Sequence, residues 1–158
     1  MYKVPLSKTK IESKLALIRE AMSVLNTVGE RLSAEQFASD PREFAVAEHH
    51  LRRALEAMFD IAGHIISRFP YAPGKRPKTI KEIARALGDK GVVDKEFAEN
   101  RLVKMAGYRN RLVHFYDEIT PQELYRIVTC DMGDIEQFAR SVIEVVQSPS
   151  RDDLTVEE

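Results

Sequence analysis

Apolar residues recur at helical spacing along most of the chain. Over about 7–31 they follow an i, i+4, i+7, i+11, i+14 series, which is one face of a helix: Ile11, Leu15, Ile18, Met22 and Leu25. The start of a second helix is marked by Asp40 as an N-cap and Pro41 at the first helical position. An apolar stripe follows until Pro70. The pattern therefore predicts two long helices, the second over about 41–69.

The second half of the chain is also helical in pattern, after an irregular loop. Residues 70–78 contain three prolines and a glycine, which exclude regular structure there. Three further helices are predicted from capping signals and apolar spacing, over about 79–87, from Asp94 to about His114 or Tyr116, and from Thr120 to about 147. No segment alternates strictly between apolar and polar residues, so we predict no β-sheet.

These elements indicate one all-α domain. Four long helices joined mostly by short connections are typical of an antiparallel four-helix bundle, here with one short additional helix. We assign residues 1–147 to this domain. Residues 148–158 carry four acidic side chains against one arginine, and such a polar, acidic segment is expected to be a disordered tail.

Composition narrows the class of protein. The 158 residues are 44% apolar and 31% charged, which is ordinary for a globular domain. With 24 basic and 25 acidic residues the net charge is −1, so no overall positive field attracts nucleic acid. The single cysteine cannot form an internal disulfide, and no apolar run has the length of a membrane span. We therefore expect a cytoplasmic protein without a membrane segment.

Charge is nevertheless concentrated in two places. Residues 75–85 hold five basic side chains and one acid, and residues 101–116 hold four basic side chains and no acid. Two solvated helix faces would explain this pattern. A local phosphate-binding surface on an otherwise balanced protein would explain it equally well.

The second cluster contains a run of residues whose side chains are suited to catalysis, Tyr108-Arg109-Asn110-Arg111-Leu112-Val113-His114-Phe115-Tyr116. Arg109 falls in the apolar stripe of its helix, where an arginine is costly unless it is paired or functional. Asn110 and His114 are four apart, so the amide can orient the imidazole. If the helix continues, Tyr116 faces the same way as Arg109.

An arginine fork and a histidine near a helix end suit phosphodiester chemistry. Histidine can move a proton near neutral pH, and arginine stabilises charge on phosphorus. No clustered metal ligands accompany them, which restricts cleavage to RNA, whose 2′-hydroxyl is an internal nucleophile. The alternative is a C-terminal cap in which Arg109 and His114 only interact with the helix dipole.

The motif resembles that of the HEPN superfamily, R-x(4–6)-H at the end of a bundle helix, and more narrowly R-x4-H-x-Y of HepT toxins. The resemblance extends over about 8–147, including Asp60-Ile61-Ala62-Gly63-His64 and Lys104-Met105-Ala106-Gly107. It implies a homodimer with a composite cleft and a metal-independent endoribonuclease that needs no cofactor. Arg109 and His114 would be catalytic, and Asn110 would support them.

The resemblance also implies regulation by a partner. An MntA-type minimal nucleotidyltransferase antitoxin would transfer AMP from ATP to Tyr116, which adds charge and volume beside the cleft. Further RNA contacts are expected from the basic residues of the two charged clusters, Lys75, Arg76, Lys78 and Arg111. A non-catalytic HEPN module that binds a nucleotidyltransferase is the second hypothesis, and a helical adaptor is the third.

Three other features receive structural interpretations. Asp60 and His64 are four apart and form a hydrogen-bonded pair in our interpretation, either structural or supporting the cleft. The adjacent His49 and His50 point about 100° apart and cannot share one ion, so they indicate a solvated or interface patch. Cys130 is expected to be a small buried apolar residue.

Overall fold

The computed structural model describes residues 3–114 and 119–158. The elements in chain order are β1 (Leu6–Ser7), α1 (Lys8–Leu25), α2 (Val28–Arg31), α3 (Ala34–Ala38), α4 (Pro41–Ile66), α5 (Ile80–Asp89), α6 (Lys95–Phe97), a π-helical turn (Ala98–Leu102), α7 (Val103–Val113), α8 (Pro121–Cys130), α9 (Met132–Gln147), a 3₁₀ turn (Pro149–Asp152) and β2 (Val156–Glu157).

Four long helical segments enclose the core, which confirms the all-α prediction. They are α1, α4, the continuous run from α6 through the π-helical turn to α7, and the α8–α9 pair. Helix α4 is central, because it packs against α1, α5, α7, α8 and α9. The apolar stripes predicted from the sequence lie inside, and most of their members are almost fully buried.

Local capping chemistry sets most helix starts where the sequence predicts them. The Asp40 carboxylate accepts hydrogen bonds from the backbone N–H groups of Arg42 and Glu43. Thr79 and Glu82 form a reciprocal capping box at the start of α5. Thr120 accepts from the N–H of Glu123 at the start of α8. The sequence therefore places these helices correctly because the signals are local.

Some predicted helix boundaries are wrong. The first helix ends at Leu25, and a separate short helix follows. Helix α5 continues through Gly88, which was expected to end it, and Gly88 instead permits a close approach of α5 to the π-helical turn. A Cβ at Gly88 would lie 2.8 Å from the Cβ of Ala98. The turn comes at Gly91, whose φ of 76° favours glycine.

The C-terminal segment is ordered against the bundle, so the prediction of a disordered tail is wrong. Leu154 is only 5% exposed. The backbone N–H of Leu6 donates to the Thr155 carbonyl, and strands β1 and β2 pair in parallel. This two-strand pairing also corrects the prediction of no β-sheet. Leu154 belongs to the buried core cluster, and burial of its side chain offsets part of the cost of ordering the segment.

Candidate functional site

The motif residues lie at the C-terminal end of α7, where the chain leaves the helix. Helix α7 ends at Val113, and His114 has the extended backbone angles φ −100° and ψ 109°. The N–H of His114 still donates to the Asn110 carbonyl at 3.1 Å, so the histidine is fixed directly at the last turn. Its side chain is exposed. The structure therefore presents His114 at a surface, within one turn of Asn110.

Arg109 is part-buried on the last turn of α7. Its Nη1 lies 3.4 Å from the Asn110 Oδ1, which accepts a long hydrogen bond. Its Nε is buried and has no hydrogen-bond partner within residues 3–114 and 119–158. A buried N–H without an acceptor costs about 1–3 kcal/mol. The geometry therefore holds a guanidinium that still has donor capacity for an acceptor such as a phosphate oxygen.

Asn110 was expected to support the catalytic residues. The structure shows one such contact, in which the Asn110 amide oxygen accepts from Arg109. Tyr116 was expected to share the face of Arg109 only if the helix continued, and α7 ends at Val113. Tyr116 itself lies outside the described residues.

Arg111 takes a structural role that the charge pattern did not predict. Its Nη1 and Nη2 donate to the two carboxylate oxygens of Glu123, each at 2.7 Å. This hydrogen bonding lowers the pKa of the Glu123 carboxyl. The bidentate pair ties the end of α7 to the first turn of α8. Arg111 is therefore engaged in fixing the motif helix, whereas it was expected to be an RNA contact.

At the N-terminal half of α7 a buried acid gathers several partners. The Asp131 side chain is 6% exposed and accepts from the Tyr108 hydroxyl at 3.1 Å. Arg101 donates to Asp131 at 3.3 Å and also pairs with Asp134. The Lys104 Nζ lies 3.7 Å from Asp131. These contacts join α7 to the junction between α8 and α9.

The same network reaches α8, at the junction where the single last helix predicted over about 120–147 is in fact two helices, α8 and α9. Arg126 donates to the Tyr108 hydroxyl at 3.1 Å and lies 3.5 Å from the Asp131 carboxylate. Asp131 makes no side-chain cap to α9, because its carboxylate turns to the cations and hydroxyl of the network. Sequence reasoning missed this cluster. The available signal was the i, i+3, i+7 spacing of Arg101, Lys104 and Tyr108.

The loop over 70–78 carries three exposed cations, one of which has a structural role. Arg76 donates to the carbonyls of Ile66 and Phe69 at 3.0 and 2.8 Å, which caps the end of α4. Its guanidinium also lies 4.9 Å from the ring centroid of Tyr71. Lys75 and Lys78 are exposed. Of the three residues expected to contact RNA, Arg76 is therefore committed to holding the loop.

The predicted pair of Asp60 and His64 does not form. Asp60 makes an ion pair with Lys14 at 3.0 Å. His64 is 7% exposed, and its Nε2 accepts from the N–H of Ser7 at 2.9 Å. Burial, together with the nearby cations Arg68 and Lys10, lowers the pKa of His64 to about 4. His64 is thus a neutral structural residue that fixes the start of α1.

The predictions for the histidine pair and for Cys130 have different outcomes. The rings of His49 and His50 are edge-to-face with centroids 5.2 Å apart, and His49 is exposed, in line with a surface patch. Cys130 is exposed, so the prediction that it is buried is wrong.

Over residues 3–114 and 119–158, no group of three or more His, Cys, Asp or Glu side chains is arranged to hold a metal ion. None of the helices over these ranges has the length and apolar character needed to cross a membrane.

Comparison with known proteins gives consistent matches over most of the chain. The model of the ribonuclease HepT-like family matches residues 12–142. A tRNA nuclease HepT from Aphanizomenon flos-aquae is 26% identical over 132 residues, which are 84% of this chain and 86% of that protein. An mRNA nuclease HepT from Shewanella oneidensis is 30% identical over 89 residues, which are 56% of this chain and 64% of that protein.

A solved structure supports the fold. It is the tri-AMPylated HEPN toxin of Shewanella oneidensis in complex with MNT antitoxin, with a TM-score of 0.70 and 24% identity. The alignment covers 85% of this chain and 97% of that one.

Proposed function

Because the chain belongs to the ribonuclease HepT-like family, we propose that it is the toxin of a toxin–antitoxin pair and cleaves RNA internally at the end of α7. The observation that carries this proposal is the buried Arg109 Nε, which has no acceptor among the described residues. A phosphate oxygen of the substrate would provide one. The nuclease names of the relatives support RNA as the substrate class.

In this proposal Arg109 and His114 are the catalytic residues. Arg109 binds the scissile phosphate and stabilises the charge that develops on its oxygens. Asn110 orients the guanidinium through its contact at 3.4 Å. His114, exposed at the helix end, transfers a proton as general acid or base.

The reaction needs no metal, because RNA supplies its own nucleophile. The 2′-oxygen loses its proton and bonds to phosphorus, while the bond from phosphorus to the 5′-oxygen breaks and that oxygen gains a proton. The products are a 2′,3′-cyclic phosphate and a 5′-hydroxyl. One His114 can serve either proton transfer. The second basic or acidic group comes from the facing protomer if two copies form one composite cleft, and we therefore include a homodimer in the proposal.

We further propose that a MntA-like nucleotidyltransferase antitoxin inactivates the chain by AMPylation of Tyr116. The tyrosine oxygen would attack the α-phosphorus of ATP, and pyrophosphate would leave. The added phosphodiester carries one negative charge close to His114 in sequence and would repel RNA phosphate. Support comes from the Shewanella toxin, which is tri-AMPylated in complex with MNT antitoxin.

The first experiment measures cleavage of RNA by the purified chain with and without EDTA. We expect activity that survives the chelator and falls about 10²–10⁴-fold in His114→Ala. His49→Ala is the matched control, because His49 is also exposed and lies on another helix. Loss of activity in EDTA that a divalent ion restores would reject the metal-free reaction. An intact chain that binds its nucleotidyltransferase but never cleaves RNA would favour the non-catalytic module.

The second experiment locates the modification. The chain is incubated with its nucleotidyltransferase and ATP, and peptides are analysed by mass spectrometry. We expect an AMP adduct on Tyr116 that is lost in Tyr116→Phe and retained in Tyr125→Phe, whose hydroxyl normally donates to the Leu32 carbonyl. An adduct confined to other residues would reject the assignment of Tyr116 and leave the nuclease proposal standing.

A further inference from the structure

A cationic cavity lies between the 70–78 loop and α5, the helix that packs against α7. Its volume is about 630 Å³, and its lining includes five cations and two acids. Both acids have other contacts. The Glu82 carboxylate accepts from the backbone N–H groups of Lys78 and Thr79, and Asp89 lies 4.0 Å from Lys95. The positive charge of the lining is therefore only partly neutralised.

The cations of the cavity differ in what they already bind. Arg76 caps α4, Arg85 pairs with Glu99, and Lys90 lies 4.6 Å from the centroid of the Tyr71 ring. Lys75 and Lys78 are exposed, and neither ammonium group has an ion-pair partner in the part of the chain that is described. Two lysines therefore remain available to a ligand, on a loop that Arg76 holds in place.

Lys81 approaches the motif helix from α5. It lies on α5, three residues after Lys78, and is exposed without an ion pair among the described residues. Its Cε is 3.9 Å from the position that a Cβ on Gly107 would occupy. Gly107 and Asn110 are three apart on α7 and share a face. The end of the Lys81 side chain therefore lies close to α7 at Gly107, about one turn before Asn110.

We propose that Lys81, with Lys78 and Lys75 beyond it, holds the RNA backbone on one side of the scissile phosphate. This inference rests on the proposed cleavage at the end of α7. A series of lysines on an exposed surface suits a chain of phosphates, since each ammonium is a point charge with mobile donors. The Tyr71 ring is already covered by Arg76 and Lys90. The surface therefore binds backbone charge and does not discriminate between bases.

The test measures binding of a single-stranded RNA of about 20 nucleotides as a function of salt, with His114→Ala as the background so that the RNA stays intact. For single strands, log K falls with log salt with a slope of about −0.7 per phosphate contact, so each lost contact makes the slope less negative by about 0.7. Lys81→Ala should make the slope shallower by that amount and weaken binding several-fold at low salt. Lys75→Ala/Lys78→Ala should make it shallower by about twice as much.

The matched control is Lys10→Ala/Arg19→Ala, which removes two exposed cations from α1. It should leave the slope unchanged. In chains with His114 intact, the Lys75/Lys78 variant should raise KM for long RNA, leave kcat unchanged, and have no effect on a dinucleotide substrate. Equal slopes in the parent and both lysine variants, an equal loss in the control, or no RNA binding by the parent would overturn the inference.

Failure of the inference and failure of the proposed function give different results. If the wild-type chain cleaves RNA and the lysine variants bind like their parent, only the lysine surface is rejected. If the chain binds RNA through these lysines but does not cleave it, the surface stands and the proposed cleavage is rejected.

Discussion

Arg101 and Arg109 lie at opposite ends of the α7 region, and their surroundings differ. Arg101 donates to Asp131 and Asp134, and these contacts raise its pKa further above its ordinary value. Arg109 has a long contact to Asn110 and a buried Nε with no acceptor among the described residues. One arginine has its charge matched by carboxylates, and the other has donors available on a turn that reaches the surface.

The two histidines differ in burial. His64 is buried and neutral, and its Nε2 accepts from the backbone of Ser7. His114 is exposed at the end of α7. Residue type alone therefore does not distinguish the candidate catalytic residues from structural ones. His64 fixes the start of α1, and Arg101 joins the α7 region to the junction of α8 and α9. Arg109, in contrast, has a buried donor without an acceptor among the described residues, and His114 is exposed.

The largest effect on stability is expected from Asp131→Asn. This change removes the carboxylate that Arg101, Lys104 and Arg126 share, and we expect the free energy of unfolding to fall by about 2 kcal/mol. Chemical denaturation measures it. Asp153→Asn, at an acid whose side chain is 90% exposed, is the control and should cost well under about 1 kcal/mol. An equal loss of stability in the two variants would show that the Asp131 network stabilises the fold no more than an exposed surface acid does.

A smaller effect is expected from the titration of His64. Its pKa is lowered to about 4 in the folded chain, whereas the unfolded chain takes up the proton near the ordinary value of about 6.5. The unfolded state therefore binds more protons as pH falls through this window, and stability is lost. We expect a contribution of about 1–2 kcal/mol to the loss between pH 7 and pH 5.

His64→Gln isolates this contribution, because the amide oxygen can still accept from Ser7 but does not titrate. Denaturation curves of the variant should depend less on pH between pH 7 and pH 5 than those of the wild-type chain. Identical pH dependence in both chains would show that His64 does not titrate in this window.

The smallest effect is expected from Asp60→Asn. Asp60 pairs with Lys14 at the surface, where its side chain is 52% exposed, so the change should cost less than about 1 kcal/mol. The His64 resonances followed by NMR should keep their titration midpoint, since Asp60 does not contact the ring. A shifted midpoint would restore the pair that the sequence spacing suggested.

The sequence predicted what depends on local signals. Helix starts at Asp40 and Thr79 follow from capping patterns, and the polar intrusion of Arg109 into an apolar stripe identified the candidate site. The choice of partners is set by tertiary packing and was not predictable. Asp131 selects cations from two helices, and Asp60 selects Lys14 in place of His64.

The prediction of a disordered C-terminal segment was also wrong because of tertiary packing. Its composition is typical of disorder, but Leu154 enters the bundle and β2 pairs with a strand 150 residues earlier. Cys130 is exposed although cysteine is usually buried. In the C-terminal segment, contacts with distant parts of the chain override the local preference for disorder.

The most direct test of the account compares Arg109→Lys with Arg101→Lys by RNA cleavage rate and free energy of unfolding. Both changes keep the charge and remove the planar fork. Arg109→Lys should lower cleavage about 10²–10³-fold and change stability by less than about 0.5 kcal/mol. Arg101→Lys should lower stability by about 1 kcal/mol and leave the cleavage rate of the folded chain within a few-fold. Full activity in Arg109→Lys, or an equal loss of activity in both variants, would contradict the account.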